Sequence, residues 1–84
     1  MKELEIIQEL TMLIKGSVNE LEADINKTTD LSSLNLDSLE FVHVFAEIEK
    51  KFNIEFEMDD LIDDKLLIVG NLAKRVSELL EKNR

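Results

Sequence analysis

Cysteine, proline, tryptophan and tyrosine are all missing from this chain, and glycine occurs only twice. Without cysteine there is neither a disulfide framework nor a thiolate metal site. That absence is compatible with the cytoplasm, where the protein is expected. Long apolar runs are missing too. The longest, Leu66 to Val69, falls far short of the ~20 residues that span a bilayer. Glu3 and Glu5 interrupt the apolar stretch a secretory leader needs. No membrane insertion is expected. Positive charge is scarce: ten Lys and Arg stand against nineteen acids, for a net charge of -9. Such a surface repels nucleic-acid phosphates and anionic lipid. It attracts basic protein patches and speeds encounter with them. No glycine-rich phosphate loop and no His/Cys cluster is present.

What remains is an 84-residue chain, 44% hydrophobic, expected to be one domain over 1–84 and a monomer. A chain this small buries only ~60% of its unfolded surface, so its stability is modest. Apolar spacing predicts an all-α fold, a small four-helix bundle of three longer helices and one short third helix, with a long first loop. Leu4, Ile7, Leu10, Leu13 and Ile14 mark a helix over about residues 2–15, with Gly16 as its stop. Residues 17–36 read as the long connection, pinned by Val18, Leu21, Ile25, Leu31, Leu34 and Leu36, with a helical turn open at Val18–Ile25. A second helix spans Ser38 to about Phe52, with Leu39, Val42, Phe45, Ile48 and Phe52 inward, Phe41 and Val44 on the outer part, and Asn53 as its end signal. Asp59 to Asp64 suits a short helix or turn. Leu66 to Val69 has a strand as its alternative. The last helix covers about Val69 to Glu81, and Gly70 in its first turn costs helix stability.

The chemistry lies at the start of the second helix. Asp37 is positioned as an N-cap, with Glu40 three residues on in capping-box spacing. Ser38 is then the first helical residue, at the positive end of the dipole, where a phosphate is favoured. By itself Asp37-Ser38 reads equally well as a helix cap. Over a wider window, Asp30-Leu31-x-x-Leu34-x-Leu36-Asp37-Ser38-Leu39 resembles the attachment motif of acyl carrier proteins, and the resemblance in size, acidity and helix spacing covers nearly the whole chain.

The resemblance implies that Ser38 carries 4'-phosphopantetheine, transferred from coenzyme A by a phosphopantetheinyl transferase, with Asp37 and Leu39 completing the motif. The thiol of that arm holds an acyl group as a thioester. Ser32 and Ser33 are nearby hydroxyls without the helix start and the following leucine. The family docks basic patches of its acyl-loading, synthase or acyltransferase enzymes on acids of this helix. Glu40, Glu47 and Glu49 are the candidates here, with Phe41 and Val44 as an apolar docking patch. Glu40 and Glu49 match the common pattern. Glu47 stands where that pattern is apolar or small, His43 where an acid is frequent, and Lys50-Lys51 where an acidic pair is common. Asn35 replaces the usual glycine. Val42, Phe45, Ala46, Leu61 and Leu72 are candidates to line an acyl-chain groove.

These readings converge on a free-standing acyl carrier protein, not an enzyme, serving fatty-acid, lipid or polyketide-type synthesis. A peptidyl or aminoacyl carrier, such as a D-alanyl carrier, shares every feature but the cargo. An unmodified acidic helical module that binds a basic protein is the alternative of another class. A serine hydrolase is disfavoured, since Ser38 and His43 are five residues apart on one helix and point in different directions. The acids Asp59, Asp60, Asp63 and Asp64 lack calcium-loop spacing and its glycine, which leaves only loose divalent binding.

Overall fold

The computed structural model describes residues 2–17, 25–34 and 36–82; the readings made for Val18, Leu21 and Asn35 lie outside them. Among the described residues four α-helices follow in order: α1 (Glu3–Ser17), α2 (Ser38–Phe52), the one-turn α3 (Met58–Leu61) and α4 (Val69–Lys82). Turns of 3-10 helix precede α2 at Leu31–Leu34 and α4 at Asp64–Leu67. No strand occurs among the described residues. Leu66 to Val69 is a 3-10 turn running into α4, and only an isolated bridge pairs Ile68 with Asp30.

The three long helices meet in one hydrophobic cluster. From α1 it takes Ile6, Leu10 and Ile14, a strict four-residue row, while Leu4 is exposed and Ile7 and Leu13 only half-buried. From α4 it takes Val69, Leu72, Ala73, Val76 and Leu79, as the helical spacing predicts. Gly16 is no stop signal. It lies inside α1, and its backbone is not left-handed.

Helix α2 starts and ends where its sequence predicts, yet it is turned about its axis. Phe41, Val44, Phe45, Ile48 and Phe52 face the cluster, whereas Leu39 and Val42 are exposed. Val44 is 0% exposed and Val42 67%. Placing Val44 on the outer face is therefore a misreading, and Phe41 is half-buried against the core. Both candidate stripes share Phe45, Ile48 and Phe52, so helical periodicity alone does not separate them. Beyond α2, Asn53 adopts the left-handed conformation at φ 55°, its amide donating to the Glu49 carbonyl. Asparagine tolerates that region better than most residues. Phe56 then returns to the core edge-on to Phe45, with ring centroids 5.3 Å apart.

The connection that ends at α2 is tied down at several points. Leu31 is fully buried, Ile25 nearly so, and Leu34 and Leu36 pack against the cluster. Two backbone bonds lash it to the first turn of α4: the Val69 amide donates to the Thr29 carbonyl at 3.0 Å, and the Gly70 amide to the Lys27 carbonyl at 2.8 Å. A Cβ on residue 70 would lie 2.9 Å from that same Lys27 oxygen. Glycine here is required by the close approach, which outweighs its poor helix propensity.

Candidate functional site

The start of α2 is built from a short polar run set on apolar anchors. Leu36, half-buried, fixes the chain just before the helix. Asp37 follows in extended conformation and closes the predicted capping box. Its Oδ1 accepts the Glu40 amide at 2.8 Å, and Glu40 Oε1 accepts the Asp37 amide at 3.1 Å. The box satisfies two donors at the helix start and fixes the direction in which α2 leaves the loop.

Ser38, the first residue of α2, is exposed. Among the described residues its hydroxyl has no hydrogen-bond partner. The neighbouring serines differ. Ser32 Oγ donates to Asp30 Oδ1 at 2.7 Å, and Ser33 Oγ donates to the Asp30 carbonyl at 2.7 Å. The Ser32 amide donates to the same Asp30 Oδ1 at 2.9 Å, and these bonds from Ser32 hold the Asp30 carboxyl below its ordinary pKa. Ser32 and Ser33 thus shape the turn into the site. The free hydroxyl sits at the head of a fifteen-residue helix, beside amides that favour an anion.

An apolar groove of about 350 Å3 lies next to it, lined by Phe41, Val42, Phe45, Ala46, Glu49, Leu61 and Leu67. Ser38, Val42, Phe45 and Glu49 recur at four-, three- and four-residue steps, so they share one side of α2. Ser38 stands one turn above the groove, about 6 Å along the axis from Val42. Four of the five lining residues expected from sequence are in place. The fifth, Leu72, is fully buried in the core and does not reach the groove.

Two of the three candidate docking acids have other partners. Glu40 is engaged in the capping box. Glu49 Oε2 accepts the Phe56 amide at 2.8 Å and so fastens the chain that returns from α2. Glu47 faces away from the groove, toward Met12 of α1, in a shallow cleft with His43, Lys50 and Lys51. Exposed apolar side chains lie nearby instead: Leu39 and Val42 on α2, with Met58, Leu61 and Ile62 also exposed on and just past α3. Sequence reasoning passed over Met58 and Ile62; a short, acid-rich stretch has too few apolar residues to declare a face.

The aspartates of the third-helix region do not converge. Asp60 binds Arg75, and Asp63 caps the following turn through the Lys65 amide. No group of three or more potential metal ligands occurs among the described residues. No described helix is long and apolar enough to cross a membrane.

Comparison with known proteins adds an independent line. A family model described as a phosphopantetheine attachment site matches residues 5–67. The acyl carrier protein of Coprothermobacter proteolyticus is 33% identical over 84 residues, covering 99% of this chain and 95% of that protein. The acyl carrier protein of Brachyspira hyodysenteriae is 31% identical over 77 residues, covering 87% of this chain and 94% of that one. A non-reducing polyketide synthase of Emericella nidulans shares 45% identity over 40 residues, which is 48% of this chain and 2% of the synthase. No solved structure gives a significant match.

Proposed function

The chain belongs to the acyl carrier protein family of phosphopantetheine-attachment domains, and on that premise we propose that it is a free-standing carrier whose 4'-phosphopantetheine is attached to Ser38. Members of this family carry and do not catalyse. The bound group supplies a flexible thiol that holds cargo as a thioester. The observation that carries the assignment is the contrast among the serines: Ser32 and Ser33 spend their hydroxyls on Asp30, while Ser38 keeps its own free, exposed and at a helix N-terminus.

The residues around Ser38 suit the group. The capping box uses the Asp37 and Glu40 amides, and the Phe41 amide donates to the Asp37 carbonyl. The amides of Ser38 and Leu39 have no partner among the described residues and are available to a phosphodiester. The apolar groove one turn below favours an acyl cargo over a polar aminoacyl one. Likeness to two acyl carrier proteins over 95% and 94% of their lengths supports a carrier for fatty-acid, lipid or polyketide-type synthesis.

Partners meet the surface around Ser38: first a phosphopantetheinyl transferase, then acyl-loading and acyl-consuming enzymes. The net charge of -9 steers their basic faces. Contact is made by Leu39 and Val42, in place of the buried Val44. Association rates that do not fall as salt rises would remove the steering.

Intact mass after incubation with coenzyme A and a broad-specificity phosphopantetheinyl transferase tests the site. The wild type gains one phosphopantetheine increment and Ser38→Ala gains none, with its helical spectrum unchanged. An increment on Ser38→Ala, or none on the folded wild type, overturns the assignment.

A further inference from the structure

Glu49 is the one charged residue among those that line the apolar groove. It is half-buried, and a carboxylate set among apolar side chains is costly unless it is paired. Among the described residues its partner is an amide and not a cation. Oε2 accepts the Phe56 amide, seven residues on, at 2.8 Å. The Glu49 carbonyl takes two more amides of the same stretch, those of Asn53 and Ile54, the latter at 3.1 Å. One residue thus gathers three amides of the chain that returns from α2. The carbonyl holds the left-handed turn, and the carboxylate sets how closely the chain comes back to the helix.

The side chain brought back is Phe56. It is buried between two exposed acids, Glu55 and Glu57, so its immediate neighbours do not hold it in place. Its ring stands edge-on to Phe45, with the planes 88° apart. Such a pair keeps its geometry only while both rings stay where they are. Phe45 lines the groove. The contacts therefore form one line, from the Glu49 carboxylate to the Phe56 amide, from the Phe56 ring to the Phe45 ring, and from there to the groove.

We propose that Glu49 is a positioning residue of the groove: as a hydrogen-bond acceptor it seats Phe56 against Phe45, and so keeps the Phe45 ring out of the space an apolar chain occupies. The acid that sequence pattern offers for partner docking is in this reading used inside the molecule. With the seat lost, Phe45 is free to change rotamer and turn into the groove. That an acyl chain enters there rests on the carrier reading; the seating of Phe56 does not.

Two substitutions of Glu49 separate acceptor from charge. Glu49→Gln keeps an acceptor oxygen and loses the charge, whereas Glu49→Ala loses both. On the unmodified chain, Glu49→Ala should speed hydrogen exchange of the Phe56 amide about tenfold. Glu49→Gln should stay within about threefold of wild type, as a neutral bond replaces a charge-assisted one. The Leu10 and Val76 amides, in α1 and α4, should be unchanged in both. Ring-proton contacts between Phe45 and Phe56, read by NMR, should weaken in Glu49→Ala and persist in Glu49→Gln. Equal effects of the two variants, an unchanged Phe56 amide in Glu49→Ala, or one common acceleration that includes Leu10 and Val76 overturns the seating.

Chains loaded from octanoyl-CoA and from acetyl-CoA test the consequence for the groove. Hydroxylamine should cleave the octanoyl thioester several-fold faster in Glu49→Ala than in wild type or Glu49→Gln, and the acetyl thioester at one rate in all three. Equal octanoyl rates overturn the role in the groove. Failure of the folded wild type to load overturns the carrier reading and leaves the exchange and ring contacts to decide the seating.

Discussion

Two connections flank the site, and they are held by opposite means. The one before Ser38 is anchored by Ile25, Leu31, Leu34 and Leu36 and by backbone bonds to α4. The one after α2, from Glu57 to Lys65, has no buried side chain and rests on Arg75 and Lys82. Apolar anchors inside a packed core cannot be given up one at a time without leaving a cavity. Ion pairs near the surface break and re-form at little cost. Ser38 thus follows the firmly anchored connection, and the yielding one contributes only Leu61 to the groove.

The same substitution in both connections gives the widest separation. Leu31 is 0% exposed and Leu61 55%. Leu31→Ala should lose roughly 2–5 kcal/mol in urea denaturation, a large part of the stability of so small a chain. Leu61→Ala should lose about 1 kcal/mol or less. Comparable losses would erase the distinction.

The next largest effect is at the seam between the first connection and α4. Gly70→Ala gains up to ~1 kcal/mol of helix propensity but puts a methyl 2.9 Å from the Lys27 carbonyl oxygen. Overpacking of this kind costs ~1–3 kcal/mol. The net expectation is a destabilisation of about 1 kcal/mol, with faster exchange at the Val69 and Gly70 amides. A stabilised variant would show that the loop gives way freely.

Smaller still is the cap. Asp37→Ala should cost about 1 kcal/mol or somewhat less, since the site is exposed. The Glu40 amide should then exchange faster, while residues 57–65 stay unaffected. A change in residues 57–65 instead would mean that the two connections communicate.

The smallest effect is at Asp30. Its folded-state pKa is lowered from the ordinary 3.8 by the Ser32 hydroxyl and amide. A lowered carboxyl pKa contributes stability above the unfolded value, and that contribution is lost as pH falls through the folded value. In Ser32→Ala the acid limb of stability should be shallower below about pH 3.8. The two proteins should differ by a constant amount at neutral pH. A difference that persists unchanged into acid would remove Asp30 from the argument.

The sequence made the rigid half legible and left the yielding half obscure. Capping chemistry announces itself in residue type and spacing, so Asp37, Ser38, Glu40 and the bounds of α2 can be read directly. So can Asn53, because few residues accept a left-handed backbone. The rotation of α2 could not be read. Leu39 and Val42 compete with Phe41 and Val44 for one core, and the winner is set by helices far away in sequence. The Arg75–Asp60 pair spans fifteen residues and leaves no periodic trace. The acids Asp59, Asp60, Asp63 and Asp64 therefore suggested loose cation binding, when Asp60 already had a cation from within the chain.

Asp60 has one further consequence. Its two oxygens serve two different ends, the first turn of α3 and the guanidinium of α4. Neither bond is well placed without the other, because the turn aims the carboxylate and the guanidinium steadies it. The winding of α3 and its docking on α4 are thus linked through one carboxylate. Losing that one carboxylate would therefore undo both bonds at once.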